Sequence, residues 1–438
     1  MSGLNRTAGI YTLGCKVNQY ESQAIAEELE RKGFSILPPA QVCDVYIINT
    51  CTVTAESDRK ARQFIRRAIG KNADAYVIVT GCMAQTVAEA VARIEGVDAV
   101  IGNTDKLRAA ELADSLFKAG KKNTVPEIYV DNVDESAFEK MTITAFERTR
   151  AYVKIEDGCE SRCTYCIIPS ARGKIRSKPL DEVIDEVTVL TKNGCREIVL
   201  TGIETASYGK DLGEVNLATL LERIDAIDGI GRVRLGSLDP SLIKKDFAER
   251  ISKIRCLAPH FHLSLQSGSS RILALMKRKY NAEQAMRAIE LLREYIPEVK
   301  FTTDIIVGFP NETEENFNET VEFVKKAKFL TTHIFPYSKR EGTPAAVMKG
   351  QIPKDEKSRR LHILSDVEAE SRKALLEKEI SEHPIKQVLF ETYKNGLATG
   401  HTPDFIEVSV PSSRPLHAIT ATVRMISTDG STVLGELV

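Results

Sequence analysis

The sequence predicts an α/β protein in three units: an N-terminal doubly wound parallel sheet over 6–119, a partial (βα)6 barrel over 145–380 and a small β-barrel over 383–438. Three observations predict it. Short apolar strings alternate with helical patterns through the first unit, which implies parallel strands covered on both faces. After a polar stretch the alternation restarts and runs for six strands, the rhythm of a barrel or partial barrel. From His383 the helices stop, and β-rich strings separated by Gly, Pro and Asn turns suggest a small barrel.

In the first unit the expected strands are Gly9–Leu13, Asp44–Asn49, Asp74–Thr80 and Ala99–Ile101. The helices between and after them are Asn18–Lys32, Glu56–Ile69, Thr86–Ile94 and Asp105–Lys118. Ala119–Thr149 is polar, carries Gly120 and Pro126, and reads as a linker. The barrel strands are Ala151–Glu156, Glu197–Thr201, Arg232–Gly236, His260–Leu265, Lys300–Val307 and Thr331–Phe335. Helical patterns separate them at Leu180–Lys192, Leu217–Ile227, Pro240–Ile254, Ala282–Tyr295 and Thr313–Ala327, and Lys354–Glu379 closes the unit. The last strands are Gln387–Tyr393, Phe405–Val410, Ile419–Ile426 and Ser431–Leu437.

Composition sets the limits. The chain has 438 residues, 42% hydrophobic and 28% charged, which excludes disorder as its main state. With 60 Lys and Arg against 61 Asp and Glu it is not a globally basic nucleic-acid binder, though a local basic patch remains open. No apolar run reaches membrane-span length, and Met1–Ile10 has no apolar signal core. Nine cysteines without an export signal read as thiols or metal ligands, and the expected location is the cytoplasm.

The cysteines carry the chemistry. Cys159, Cys163 and Cys166 have the spacing C-x3-C-x2-C, on a loop just past the first barrel strand. Three soft thiolates on one short loop bind three corners of a [4Fe–4S] cluster and leave the fourth iron open to a substrate. A structural zinc site with a distant fourth ligand is the alternative. Cys15, Cys51 and Cys82 each follow a predicted parallel strand, so the three converge on one edge of the sheet. Gly14 and Gly81 allow close approach there. Three inert core thiols are the alternative. Cys43, Cys195 and Cys256 have no partners at ligand spacing and read as structural, as do His260 and His262.

The run DGCESRCTYCIIPSARG resembles the signature of radical S-adenosylmethionine (SAM) enzymes. LGCKVNQYES, INTCTV and VTGCMAQ, with EIVLTGI, LSLQSGS, DIIVGFPNET and FPYSKREGTPA, resemble the radical-SAM methylthiotransferases. LGCKVNQYES and FPYSKREGTPA are most similar to the branch that modifies N6-threonylcarbamoyladenosine at position 37 of tRNA. The resemblance implies a radical-SAM partial barrel and a TRAM-like C-terminal barrel. It implies two [4Fe–4S] clusters, one on Cys159, Cys163 and Cys166 binding SAM, one on Cys15, Cys51 and Cys82 delivering sulfur. Its partners are the tRNA anticodon stem-loop and a low-potential electron donor such as a flavodoxin or ferredoxin.

Other positions follow by motif. Gly202 and Glu204 resemble the part of such barrels that meets the methionyl end of SAM. Ser237 and Gln266 end later strands, where polar groups meet its ribose or carboxylate. Asp304 joins the catalytic set, facing SAM or the target base, and Arg172 and Arg176 follow the cluster loop as contacts to SAM or RNA. Each is equally readable as an ordinary barrel-interior polar residue. Asn311 replaces a usual glycine in DIIVGFPNET, and Asn tolerates the left-handed backbone such a turn needs.

Three basic groups are candidates for RNA phosphates. Arg148–Lys178 holds Arg148, Arg150, Lys154, Arg162, Arg172, Lys174, Arg176 and Lys178. Arg59, Arg62 and Arg66 share a helix face beside Lys60 and Arg67, and Lys277, Arg278 and Lys279 form the third group. The C-terminal unit, with four basic residues against five acidic ones over 385–438, is a weak RNA surface. The rival readings are the same chemistry on isopentenyladenosine tRNA or on a ribosomal-protein aspartate. A rival of another class is an iron–sulfur electron-transfer or RNA-binding protein, whose clusters are usually closed by four ligands.

Overall fold

The computed structural model describes residues 6–120, 122, 125–146 and 149–438. The first unit is a six-stranded parallel sheet. Its strands are β1 (Arg6–Thr12), β2 (Phe34–Leu37), β3 (Val45–Thr50), β4 (Tyr76–Gly81), β5 (Ala99–Ile101) and β6 (Glu127–Tyr129). They lie in the order β2-β1-β3-β4-β5-β6. The helices are α1 (Lys16–Arg31), α2 (Ala55–Lys71), α3 (Cys82–Thr86), α4 (Ala88–Ala92) and α5 (Arg108–Ala119).

Both faces of the sheet are covered, as parallel strands require. Ile25 and Leu29 of α1, with Ala109 and Ala113 of α5, pack on Val45, Ile47 and Ile78. Ala61 and Ile65 of α2, with Met83 and Val91, pack on Ile48, Val77 and Val79.

The edge strands β2 and β6, of four and three residues, fall outside the strand–helix alternation, since neither is followed by a helix. The stretch read as a linker is in fact built into the fold. It supplies β6, and its Met141 and Ile143 enter the barrel core. Tyr20 of α1 donates to the Met141 carbonyl at 2.6 Å, and Glu186 accepts the Ile143 amide at 2.7 Å. The segment therefore mortars the first unit to the second.

The second unit holds β7 (Arg150–Lys154), β8 (Glu156–Asp157), β9 (Arg176–Ser177), β10 (Glu197–Thr201) and β11 (Arg232–Leu235). It continues with β12 (Ser237–Leu238), β13 (His260–Gln266), β14 (Lys300–Val307) and β15 (Thr331–Pro336). Two parallel sheets, β11-β10-β7 and β12-β13-β14-β15, meet at Gly236, whose amide bonds the Leu200 carbonyl. Among the described residues β7 and β15 do not pair, so the barrel is partial. The helix expected over Pro240–Ile254 is shorter: Asp239 and Pro240 open a single 3₁₀ turn, and the α-helix spans Lys245–Ser252. Asn311 has φ +65°, the left-handed turn expected of it.

The third unit is a closed five-stranded barrel of β16 (Ile385–Lys394), β17 (Leu397–His401), β18 (Glu407–Pro411), β19 (Thr420–Thr428) and β20 (Val433–Leu437). β17 escaped the sequence reading because its run, LATGH, is small and polar. Gly400 is there by necessity, since a Cβ would come within 2.1 Å of the Leu389 carbonyl oxygen. Among the described residues no helix is long and apolar enough to cross a membrane.

Candidate active site

The C-x3-C-x2-C loop leaves β8 through Gly158, at φ +86°. A Cβ on Gly158 would lie 1.9 Å from the Lys174 carbonyl oxygen, so only glycine fits the turn. Cys159 N bonds Gly173 O at 2.9 Å, Cys166 N bonds Cys163 O at 3.1 Å, and Thr164 N bonds Met276 O at 3.1 Å. The loop is thus held from both ends and from its middle. Cys159, Cys163 and Cys166 open together into a cavity of about 360 Å³.

Glu204, Ser237, Gln266 and Asp304 line the same cavity, as the sequence positions at strand ends suggested. Glu204 accepts from Cys159 Sγ at 3.3 Å and from Ser161 Oγ at 3.2 Å. Burial first, then the Glu204 carboxylate, pushes the Cys159 thiol up to about 12. Burial likewise pushes Cys166 up to about 11. Raised thiols are poor free nucleophiles; a metal that displaces their protons is what makes them useful. Asp304 accepts from Nε2 of His262 at 3.2 Å, and Nδ1 of that ring pairs with Thr302 at 2.9 Å.

Gly202 does not line the cavity. It clears space for the buried Glu156, whose carboxylate oxygen would be 2.6 Å from a Cβ there and accepts the Glu204 amide at 2.8 Å. Its place is beneath the site, positioning Glu204.

The second cysteine set forms where β1, β3 and β4 end. Gly14 (φ +96°) lies so close to Cys51 that a Cβ would meet its Sγ at 2.9 Å. Gly81 (φ +97°) similarly clears the Thr50 carbonyl, which a Cβ would reach at 2.4 Å. Asn18 Nδ2 ties the loops together, donating to Leu13 O at 2.7 Å and Thr50 O at 3.0 Å. Burial, then the neighbouring Cys82, pushes Cys51 up to about 11. α3, which begins at Cys82, packs against the short helix Ile168–Arg172 that follows Cys166, and this brings the two cysteine scaffolds together.

Each set has a buried arginine aimed at one sulfur. Arg172 Nε donates to Cys82 Sγ at 3.3 Å, and Arg278 Nη1 donates to Cys163 Sγ at 3.2 Å. This corrects two expectations. Arg172 is wholly buried between Glu21, Asn18, Asp157 and Cys82, out of reach of SAM or RNA. Arg278 turns inward to Asp239 at 2.7 Å and leaves Lys277 and Lys279 alone on the surface.

The basic run Arg148–Lys178 is corrected for the same reason. Lys154, Arg176 and Lys178 are buried against Asp157 or Glu186, and Arg150 pairs with Glu197 and Glu391. Arg162 and Lys174 stay exposed, and Arg148 lies outside the described residues. On α2, Arg59, Lys60, Arg66 and Arg67 are exposed, and Thr54, which caps that helix, lines the cavity with Val53.

Sequence reasoning missed Val53, Thr54, Tyr165, Phe335 and Tyr337 as cavity walls. Only the position of Val53 and Thr54 just past Cys51 hinted at their role. Cys43, Cys195 and Cys256 are buried in the apolar cores of the first and second units.

The donors suit iron–sulfur clusters. Among the described residues no three His, Cys, Asp or Glu side chains converge on a single-ion point. A multi-iron cluster instead takes thiols set around a larger body, as three thiols bordering a cavity are. The arginine N–H groups supply the hydrogen bonds to sulfur that such ligands receive.

Two family models match: the radical SAM superfamily over residues 153–324 and the uncharacterized protein family UPF0004 over residues 7–102. The threonylcarbamoyladenosine tRNA methylthiotransferase MtaB of Bacillus subtilis is 40% identical over 92% of this chain and 90% of its own. That of Thermotoga maritima is 37% identical over 97% of this chain and 96% of its own. The radical SAM methyltransferase TsrM of Kitasatospora setae shares the fold, with a TM-score of 0.55 at 16% identity over 78% of this chain and 77% of that one. The chain belongs to the radical-SAM methylthiotransferase family, on the branch of the threonylcarbamoyladenosine tRNA methylthiotransferases.

Proposed function

We propose that this protein converts N6-threonylcarbamoyladenosine at position 37 of the tRNA anticodon loop to its 2-methylthio derivative, in the cytoplasm, with electrons from a flavodoxin- or ferredoxin-like donor. One observation supports this most directly. A single cavity is lined by Cys159, Cys163 and Cys166 of the barrel and by Val53 and Thr54, next to Cys51 of the first unit. Two chemistries kept in separate domains thus meet over one substrate.

When bound, a cluster on Cys159, Cys163 and Cys166 supplies the electron that splits SAM to methionine and a 5′-deoxyadenosyl radical, and one on Cys15, Cys51 and Cys82 supplies sulfur. The chain's own part is orientation and exclusion of water. Arg278 donates to the Cys163 sulfur, and Glu204, which accepts from Ser161 Oγ, stands beside Cys159. Ser237 and Gln266 offer polar groups to the ribose and carboxylate of SAM, and Asp304, held by His262, faces them across the cavity. Tyr165, Ile306 and Phe335 give it apolar walls. The α2 surface, beginning at the cavity mouth, receives RNA phosphates.

The test is anaerobic turnover on tRNA carrying threonylcarbamoyladenosine, read by nucleoside mass spectrometry. The 2-methylthio product is expected, with 5′-deoxyadenosine released. Cys159→Ala loses both products, whereas Cys15→Ala keeps SAM cleavage and loses methylthiolation. Modification of isopentenyladenosine tRNA alone would overturn the substrate assignment.

A further inference from the structure

We infer that Arg172 is a positioning residue of the sulfur-delivering site: its buried guanidinium supplies the cationic charge that a Cys82-ligated cluster requires, and it locks that site to the SAM loop. The inference rests on the proposed cluster on Cys15, Cys51 and Cys82.

The fork of Arg172 is fully used. Nε donates to Cys82 Sγ at 3.3 Å. Nη1 donates to Glu21 Oε1 at 2.6 Å and Asp157 Oδ2 at 3.1 Å. Nη2 donates to Asn18 Oδ1 at 2.7 Å and Glu21 Oε2 at 3.3 Å. These partners belong to both cysteine scaffolds. Asn18 and Glu21 stand on α1 just past Cys15, Asp157 precedes Cys159 by two residues, and Arg172 ends the short helix that follows Cys166. One rigid plane therefore sets the spacing of the two sites. Lysine, a point charge without the fork, holds fewer of these partners.

The placement of the buried cations points to an anion at the sulfur. Lys106, Lys154, Arg172 and Arg176 are buried around Glu21 and Asp157. Glu139 accepts the amide of Lys106 at 2.6 Å and that of Leu107 at 3.1 Å, and Glu156 is buried beside Asp157 on β8. The one N–H of Arg172 that meets no carboxylate or amide oxygen is that of Nε, and it points at Cys82 Sγ. A buried cation facing a neutral thiol there is costly unless something of opposite sign neutralises it. The atom placed to do so is Cys82 Sγ, as a metal-bound thiolate. A cation held there also favours the more reduced state of whatever Cys82 ligates.

The test is a redox titration, followed by electron paramagnetic resonance, of the anaerobically loaded full chain, with Cys82→Ala and Cys163→Ala used to assign each wave. Arg172→Gln is expected to move the sulfur-site wave to more negative potential and leave the SAM-site wave in place. Arg172→Lys restores most of that potential. Glu21→Gln, which removes a carboxylate from the same network, moves the wave the opposite way, and it decides the matter if Arg172→Gln does not load. Full loading with an unmoved wave in Arg172→Gln, or an unmoved wave in Glu21→Gln, overturns the inference. A wild-type chain with one wave and half the iron overturns the two-cluster reading itself.

Discussion

Glu197, buried at the start of β10, accepts from Arg234 Nε at 3.0 Å. Arg150 at 2.5 Å and Arg232 at 3.1 Å close on the same carboxylate, so one anion organises three strands at the floor of the barrel. Burial alone would raise this group, but the arginines, Arg234 foremost, outweigh it and hold Glu197 at about 2.

A depressed carboxylate stabilises the fold above its unfolded value and loses that contribution as pH falls toward its folded one. Lowering from 4.5 to about 2 corresponds to about 3 kcal/mol, present in full above pH 4.5 and lost between there and pH 2. Urea unfolding across that range is expected to show wild type and Glu197→Gln converging as the pH drops. A constant gap between them would contradict it.

The C-terminal barrel docks through Phe405, whose ring stacks between His260 at 4.5 Å and His401 at 4.6 Å, with Arg234 over it at 4.6 Å. Phe405→Ala is expected to cost about 2–3 kcal/mol. Hydrogen exchange should quicken in β16–β20 and at His260 more than in the first unit. Uniform exchange changes across the chain would argue against a local dock.

Gly158→Ala and Gly194→Ala form a matched pair. Both positions have positive φ, +86° and +88°, but a Cβ at Gly158 meets backbone at 1.9 Å whereas Gly194 has nothing within 4 Å. Gly194→Ala should cost about 1 kcal/mol and leave iron content unchanged. Gly158→Ala should halve the iron and abolish SAM cleavage, because Cys159 leaves its place. Equal effects of the two would mean that backbone conformation, not crowding, governs the loop.

Arg66→Gln and Arg67→Gln on the exposed face of α2 should weaken tRNA binding while SAM cleavage continues. Each lost phosphate contact lowers the slope of log affinity against log salt by about 0.7–0.9. An unchanged salt slope would place the RNA elsewhere.

Much of this was legible in the chain itself. Strand–helix alternation marked the parallel units, and the strands Ala99–Ile101, Glu197–Thr201 and Lys300–Val307 appear where periodicity put them. The placement of the six cysteines just past strand ends was legible because C-x3-C-x2-C and a thiol just past a strand are local patterns of a few residues. β2 and β6 were not, since neither is followed by a helix that would mark it in the alternation, and β17 was not, since its run is small and polar.

The local sequence therefore determined at which strand ends the six cysteines stand. Tertiary structure alone decided what the charges do. Arg172 and Arg278 look alike in sequence to the exposed arginines of α2, yet each folds onto a thiol. The partners that draw Arg172 inward, Glu21 and Cys82, lie 151 and 90 residues away. A cation's fate depends on which anion the fold sets opposite it, and at that separation no spacing rule along the chain records the answer.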